Sequence, residues 1–295
     1  MKRLTVGLVL LLVAACGGDD GRAQTAAGST ARIQVVAGFY PLAEAARRVG
    51  GERVEVANLT PAGAEPHELE LSPRQVDRIA DADVVFHLGG GFQPAVEETA
   101  ERHAARPVDL LRDLPVSRDE ADPHVWLDPV LMMSMVGAVE EALAAADPPG
   151  RAAYAANASA YRTELEALDD EFRTGLAGCA RRVLVTSHAA FGHLAARYGL
   201  EQEAIAGLSP EGEPDPRRLS ELVDAVRESG TTTVFSETLT SSRIAETLAR
   251  EAGVATAVLN PLEGLTDEEI GRGETYASVM RQNLAALRSA LGCPG

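Results

Sequence analysis

Histidine is scarce in this chain of 295 residues, with six copies, and cysteine scarcer, with three. Basic side chains are outnumbered as well: 27 Lys and Arg stand against 44 Asp and Glu, a formal net charge of −17. A deficit of that size disfavours nucleic acid and anionic membrane surfaces as partners, and is compatible with attracting divalent cations. Gly89-Gly90-Gly91 lacks the Lys and Ser/Thr that a phosphate-binding loop needs. No His-Glu-x-x-His helix is present, so the common helix of zinc hydrolases is missing. No short repeat of the solenoid type is found.

Met1-Lys2-Arg3 leads into an apolar run from Leu4 to Ala15, broken only by Thr5 and Gly7. It is too short to cross a bilayer as a helix of about 20 residues, and residues 1–15 read as a secretory signal. Cys16 directly after Val13-Ala14-Ala15 resembles a bacterial lipobox, which implies cleavage before Cys16 and lipid on its thiol. Residues 16–31 are expected to be the lipidated cysteine and a flexible tether, rich in Gly, Ala, Ser and Thr and reaching on the order of 20 Å. Removing residues 1–15 takes away Lys2 and Arg3 and no acid, moving the formal charge from −17 to −19. The expected location is extracytoplasmic, on the outer face of a bacterial cell membrane or in the periplasm. There Cys179 and Cys293 can pair as a disulfide that ties down the chain end; two buried free thiols are the alternative.

From Ile33 onward, short apolar runs alternate with amphipathic helical stretches. Ile33 to Ala37, Val54 to Leu59 and Val84 to Leu88 read as strands, with helices at Pro41 to Val49, Ser72 to Ala80 and from Pro94 to about Ala104. Ser72-Pro73, Asp128-Pro129 and Asp215-Pro216 are helix starts, because the fixed φ of proline suits the first helical position. Val130 to Ala146 and Arg151 to Ala177 read as two helices, the second about 40 Å long. Strands return at Val183 to Thr186, Glu201 to Ala206, Thr232 to Phe235 and Ala255 to Leu259, and a last helix runs from about Thr275 to Leu291. The fold class is α/β: two similar lobes of mostly parallel sheet flanked by helices, bridged by one long helix. The expected boundaries are 32–147 for the first lobe, 148–178 for the linking helix and 179–295 for the second lobe.

In open α/β sheets, ligands bind outside the carboxyl ends of the strands. His67 follows the second strand in Glu65-Pro66-His67. His124 lies in Asp122-Pro123-His124-Val125-Trp126-Leu127-Asp128-Pro129, before a helix, and His188 directly follows Val183 to Thr186. Proline before His67 and His124 stiffens the backbone that aims each imidazole. Imidazole is the commonest zinc ligand, and such ligands usually pass their other ring N–H to a carboxylate, so three converging histidines point to a metal site. Glu65, Asp122 and Asp128 are the nearby carboxylates, Asp128 doubling as a helix cap. His87 ends a strand beside the triple glycine and is a weaker candidate for the same cleft; His193 is expected to pack or hydrogen-bond.

Pro61 to His67, Asp122 to Pro129, Ser187 to His193 and Gly273-Glu274-Thr275-Tyr276 together resemble the zinc and manganese solute-binding lipoproteins of ABC metal importers, the cluster A-I periplasmic binding proteins. The resemblance runs from about Ile33 to Leu291. It implies a non-enzymatic, monomeric receptor that holds Zn2+ between its lobes and delivers it to a membrane permease with its ATPase. His67, His124 and His188 would be ligands and Glu274 the fourth, with Glu65 or water as the alternative. Three imidazoles favour zinc over manganese, whose preference leans to oxygen. The short acidic stretch Asp113 to Asp122 contains no histidine, unlike the histidine-rich loop of many zinc members. A receptor for Mn2+, an extracellular metal buffer or adhesin, and a secreted zinc hydrolase are the competing functions.

Overall fold

Strand β1, Ile33–Ala37, is followed by helix α1, Tyr40–Gly50, and strand β2, Val54–Asn58. Helix α2, Pro73–Asp81, strand β3, Val84–His87, helix α3, Pro94–His103, and strand β4, Pro107–Asp109, complete the first lobe's sheet and its cover. The computed structural model describes residues 32–116, 122–210, 212 and 215–294; the expected signal, Cys16 and the tether lie outside them. All pairings are parallel, in the order β2-β1-β3-β4. Every residue of β3 is buried, as expected for a central parallel strand covered on both faces. At the start of α2, Ser72 and Gln75 form a reciprocal capping box, and Pro73 stands at the first position where no N–H is needed.

Two helices then run without a strand: α4, Pro129–Ala146, and α5, Arg151–Gly175, the latter 25 residues and about 37 Å long. The buried apolar residues of α5 recur as Tyr154, Ala158, Tyr161, Leu165, Leu168 and Phe172, a single stripe at three- and four-residue spacing. That stripe packs on α1 and α4 of the first lobe and, further along, on the last helix of the chain. The long helix therefore bridges the lobes.

The second lobe repeats the first. Strand β5, Val183–Thr186, helix α6, Gly192–Tyr198, strand β6, Glu201–Ala204, helix α7, Pro216–Glu228, and strand β7, Thr233–Ser236, come in turn. Helix α8, Arg243–Ala252, strand β8, Ala255–Val258, and helices α9, Asp267–Gly271, and α10, Tyr276–Leu291, end the chain. Its parallel sheet has the order β6-β5-β7-β8, the same path as in the first lobe. One apolar core extends from Phe39 and Trp126 through Phe172 to Phe191, Tyr276 and Leu287, so the lobes share buried surface.

A disulfide joins Cys179, just past α5, to Cys293, just past α10, closing a sequence separation of 114. Backbone bonds from Ala180 to Gly292 and Arg181 to Leu291 run beside it. Of the two states open to these cysteines, the paired one is found.

Candidate metal centre

His67, His124 and His188 converge, and the fourth donor among them is Glu263. Glu263 Oε1 lies 3.2 Å from His67 Nε2, 3.3 Å from His124 Nε2 and 3.1 Å from His188 Nε2. The His124 and His188 Nε2 atoms are 3.4 Å apart. A tetrahedral zinc shell with bonds of 2.0–2.1 Å has ligand atoms about 3.3 Å from one another. These separations match the edges of such a shell.

Each donor is aimed by its own support. His67 sits in the loop between β2 and α2; its backbone N–H donates to Glu65 Oε2 at 3.0 Å, and its ring stands edge-on to Phe92, with centroids 4.5 Å apart. Gln93 Nε2 donates to Thr60 Oγ1 and to the Pro66 carbonyl, fixing the approach to that loop. For His124, both the backbone N–H and Nδ1 reach Asp122 Oδ1, at 3.0 and 2.7 Å. A Cβ on Gly192 would come within 2.7 Å of Asp122 Oδ2, so glycine at that position leaves the carboxylate its place. His193 Nε2 donates to the Asp122 carbonyl at 3.0 Å, the supporting bond expected of it.

His188 turns off the end of β5. Glu237, directly after β7, accepts its backbone N–H at 3.1 Å and lies 2.6 Å from its Nδ1. Nδ1 donation to Asp122 and to Glu237 leaves each Nε2 lone pair free for a metal in the neutral imidazole.

Glu263 is carried on the loop between β8 and α9. Leu262 before it has φ +56°, the one positive value on a residue other than glycine among the described residues. This left-handed turn costs roughly 1–2 kcal/mol and needs a frame to persist. Asn260 supplies it: Oδ1 accepts the Leu262 N–H at 2.8 Å, while the Asn260 backbone exchanges two bonds with the Asn283 side chain of α10. Asn260 Nδ2 also donates to Glu269 at the start of α9. Across the lobes, Trp126 Nε1 donates to the Pro261 carbonyl at 2.8 Å and Tyr276 Oη donates to the Trp126 carbonyl at 2.6 Å. Loop, helix and both lobes thus hold Glu263 against the imidazoles.

His124, His188 and Glu263 are essentially inaccessible, and a bare carboxylate there would be costly. Burial raises the Glu263 carboxyl, but hydrogen bonds from the three imidazoles outweigh it and hold Glu263 well below the usual carboxylate range. Burial pulls His188 down, while Glu237 and Glu263 outweigh it and push the ring up to about 10; His124 is raised likewise by Asp122 and Glu263 against its burial. With its ring pushed up to about 10, His188 of the metal-free site holds a proton at neutral pH that an ion must displace. We expect zinc binding at pH 7 to release about one proton, with affinity falling on acidification, measurable by calorimetry in buffers of different ionisation enthalpy. The sign for stability runs the other way. Because His188 is raised from 6.5 to about 10, its charged form stabilises the metal-free chain fully below about pH 6.5, and this is lost as pH climbs towards 10.

The other expected residues fall outside the donor set. Glu274 precedes the cap of α10, where Ser278 Oγ donates to its Oε2 at 2.6 Å and Arg272 lies 3.5 Å from its Oε1. Hydrogen bonds from Ser278 and Gln282 first, then Arg272, lower its carboxyl. Glu263 stands where Glu274 was expected. Glu65 Oε1 is 3.9 Å from His67 Nε2, so Glu65 flanks the cluster, and burial raises its carboxyl. Asp128 caps α4 through Val130 N–H and pairs with Arg197. His87 lies at the end of β3, apart from the four donors. Glu237, directly after β7, shares with His188, just past β5, a place beyond a strand's carboxyl end; Glu263 carries no such mark.

Two parallel α/β lobes bridged by a long helix, with three imidazoles and a carboxylate between their strand ends, define a two-lobed solute-binding fold with a metal-type donor set. The chain belongs to the zinc-uptake complex component A (ZnuA) family, described as periplasmic, whose model matches residues 35–290. It is 38% identical over 277 residues to the zinc-binding lipoprotein AdcA of Streptococcus pneumoniae serotype 4, covering 87% of this chain and 55% of that one. The chain thus spans about half the length of the AdcA relatives it matches. It is 33% identical over 306 residues to the high-affinity zinc uptake system protein ZnuA of Bacillus subtilis, covering 97% of this chain and 96% of that one. The crystal structure of the Zn(II)-bound ZnuA-like domain of the pneumococcal AdcA superposes with a TM-score of 0.78 at 38% identity, covering 88% of this chain and 99% of that one. The family resemblance carried by the histidine motifs holds, and with it the two-lobed α/β fold.

Proposed function

We propose that this protein is an extracytoplasmic receptor, lipid-anchored through Cys16, that captures Zn2+ with His67, His124, His188 and Glu263 and hands it to the permease of an ATP-driven importer. The observation that carries the reading is the convergence of three Nε2 atoms and one Oε1 at 3.1–3.4 Å. Three nitrogens and a single oxygen suit zinc better than manganese. Names of relatives that bind or take up zinc add support. Four protein donors fill a tetrahedral shell, whereas hydrolytic zinc sites keep one position open for water, so the arrangement suits carriage of the ion rather than catalysis.

Titration of the metal-free chain is expected to give one tight zinc site, with manganese bound more weakly. Glu263→Gln should weaken zinc about tenfold or more, and Glu274→Gln should leave it unchanged. Equal loss in the Glu274 variant, or none in the Glu263 variant, would overturn the donor set; manganese tighter than zinc would overturn the choice of ion.

A further inference from the structure

A cavity of about 440 Å3 opens between the lobes, walled by Tyr40, Glu44, Arg47 and Asn58 of the first and by Leu265 and Ile270 of the second. Its size is that of a small-molecule pocket. Tyr40 is 8% exposed, yet its Oη has no hydrogen-bond partner among the described residues, and Asn58 Oδ1 is buried in the same state. The Tyr276 N–H approaches the Tyr40 oxygen only as a donor, so the hydroxyl proton has no acceptor. Buried polar atoms are normally satisfied, and those left open in a cavity wall mark where the polar groups of a ligand go.

The wall carries both signs of charge. Tyr40, Glu44 and Arg47 recur at four- and three-residue spacing on one face of α1, and Tyr40 feels the charge of both others. Arg48 stands 3.8 Å from Glu44 and pairs more closely with Glu164, while no ion pair ties Arg47 to another side chain among the described residues. The other polar groups of the wall are taken: Thr60 Oγ1 donates to the Gly38 carbonyl, and Glu274 accepts from Ser278. Pro61, Leu265 and Ile270 supply apolar surface. Ile270, at 54%, is one of three large apolar side chains so exposed among the described residues.

We propose that this cavity binds the zwitterion of an apolar α-amino acid, its carboxylate on Tyr40 Oη and Arg47, its ammonium on Asn58 Oδ1 and Glu44, and its side chain against Pro61, Leu265 and Ile270. A donor without an acceptor and an acceptor without a donor both find their complement in that one molecule, and so do the two charges. Pro61 lies on the loop that carries His67, and Leu265 follows Glu263 by two residues, so an occupant touches both loops. None of the four metal donors lines the cavity, which makes it a separate site.

The probe is L-leucine, titrated into the metal-free chain so that its own hold on zinc plays no part, and followed by calorimetry and saturation-transfer NMR. One site is expected. Isocaproate, which lacks the ammonium, and isoamylamine, which lacks the carboxylate, should each bind about tenfold more weakly or worse. Arg47→Gln should weaken L-leucine by about tenfold or more, and the exposure of Arg47 lets that variant fold. Tyr40→Phe removes only the open hydroxyl and should weaken L-leucine several-fold while the melting temperature holds or rises. No binding of L-leucine at millimolar concentration, analogues that bind as well as the zwitterion, or an Arg47 variant of unchanged affinity overturns the proposal. Zinc affinity is measured separately, so failure here leaves the donor set of the metal site untouched.

Discussion

Replacing His124 by alanine is expected to raise the dissociation constant for zinc by about two to three orders of magnitude. Structural zinc sites bind with about 10–16 kcal/mol, so one donor of four is worth about 2.5–4 kcal/mol, and each 1.4 kcal/mol is tenfold. His124 is the appropriate target because it is fully buried and donates two bonds to Asp122, which fix its ring. Its removal also leaves the Asp122 carboxylate without the ring it orients. Calorimetry of the metal-free variant, with circular dichroism to verify folding, checks this. A dissociation constant within threefold of the unaltered protein would mean that His124 is not a ligand.

The second large effect concerns the disulfide. Cys293→Ser is expected to lower the stability of the chain by about 2–5 kcal/mol, because the Cys179–Cys293 bond removes the closure entropy of a loop spanning 114 positions from the unfolded state. For a chain of this size each kcal/mol shifts the melting temperature by roughly 2–4 °C, giving a fall on the order of 10 °C. The bond anchors the end of α10, whose Asn283 holds the Asn260 turn that presents Glu263. Zinc affinity should therefore fall less than stability, since Asn283 lies well inside the helix. Thermal unfolding with and without reductant tests this; identical melting temperatures would show that the bond contributes nothing.

Most strands and helices of both lobes were legible as apolar runs or amphipathic stripes, several helices opening on a proline in the first turn. Two elements were not. Strand β4 is three residues led by a proline, and only its pairing with β3 makes it a strand. Helix α9 is five residues, mostly acidic, set by the Thr266 and Glu269 capping box. The three histidines stood out because the chain has so few of them, and rarity made each one informative. Glu263 and Glu237 were hidden among 44 acids, since nothing local separates a ligand carboxylate from a solvated one. Glu274 looked favourable as the residue opening the last helix. Its carboxylate instead accepts from Ser278, one turn into that helix, and faces Arg272. Leu262 is the local mark that the sequence could not display: a strained backbone turn beside the donor, visible only once φ is known.

The four-donor cluster is the central claim, and its direct test is anomalous scattering at the zinc edge from crystals of the zinc-loaded protein. A single strong peak should lie within about 2.0–2.2 Å of His67 Nε2, His124 Nε2, His188 Nε2 and a Glu263 oxygen, with Glu274 still bound to Ser278. A peak coordinated by Glu274, or one that leaves out any of the three imidazoles, would contradict it.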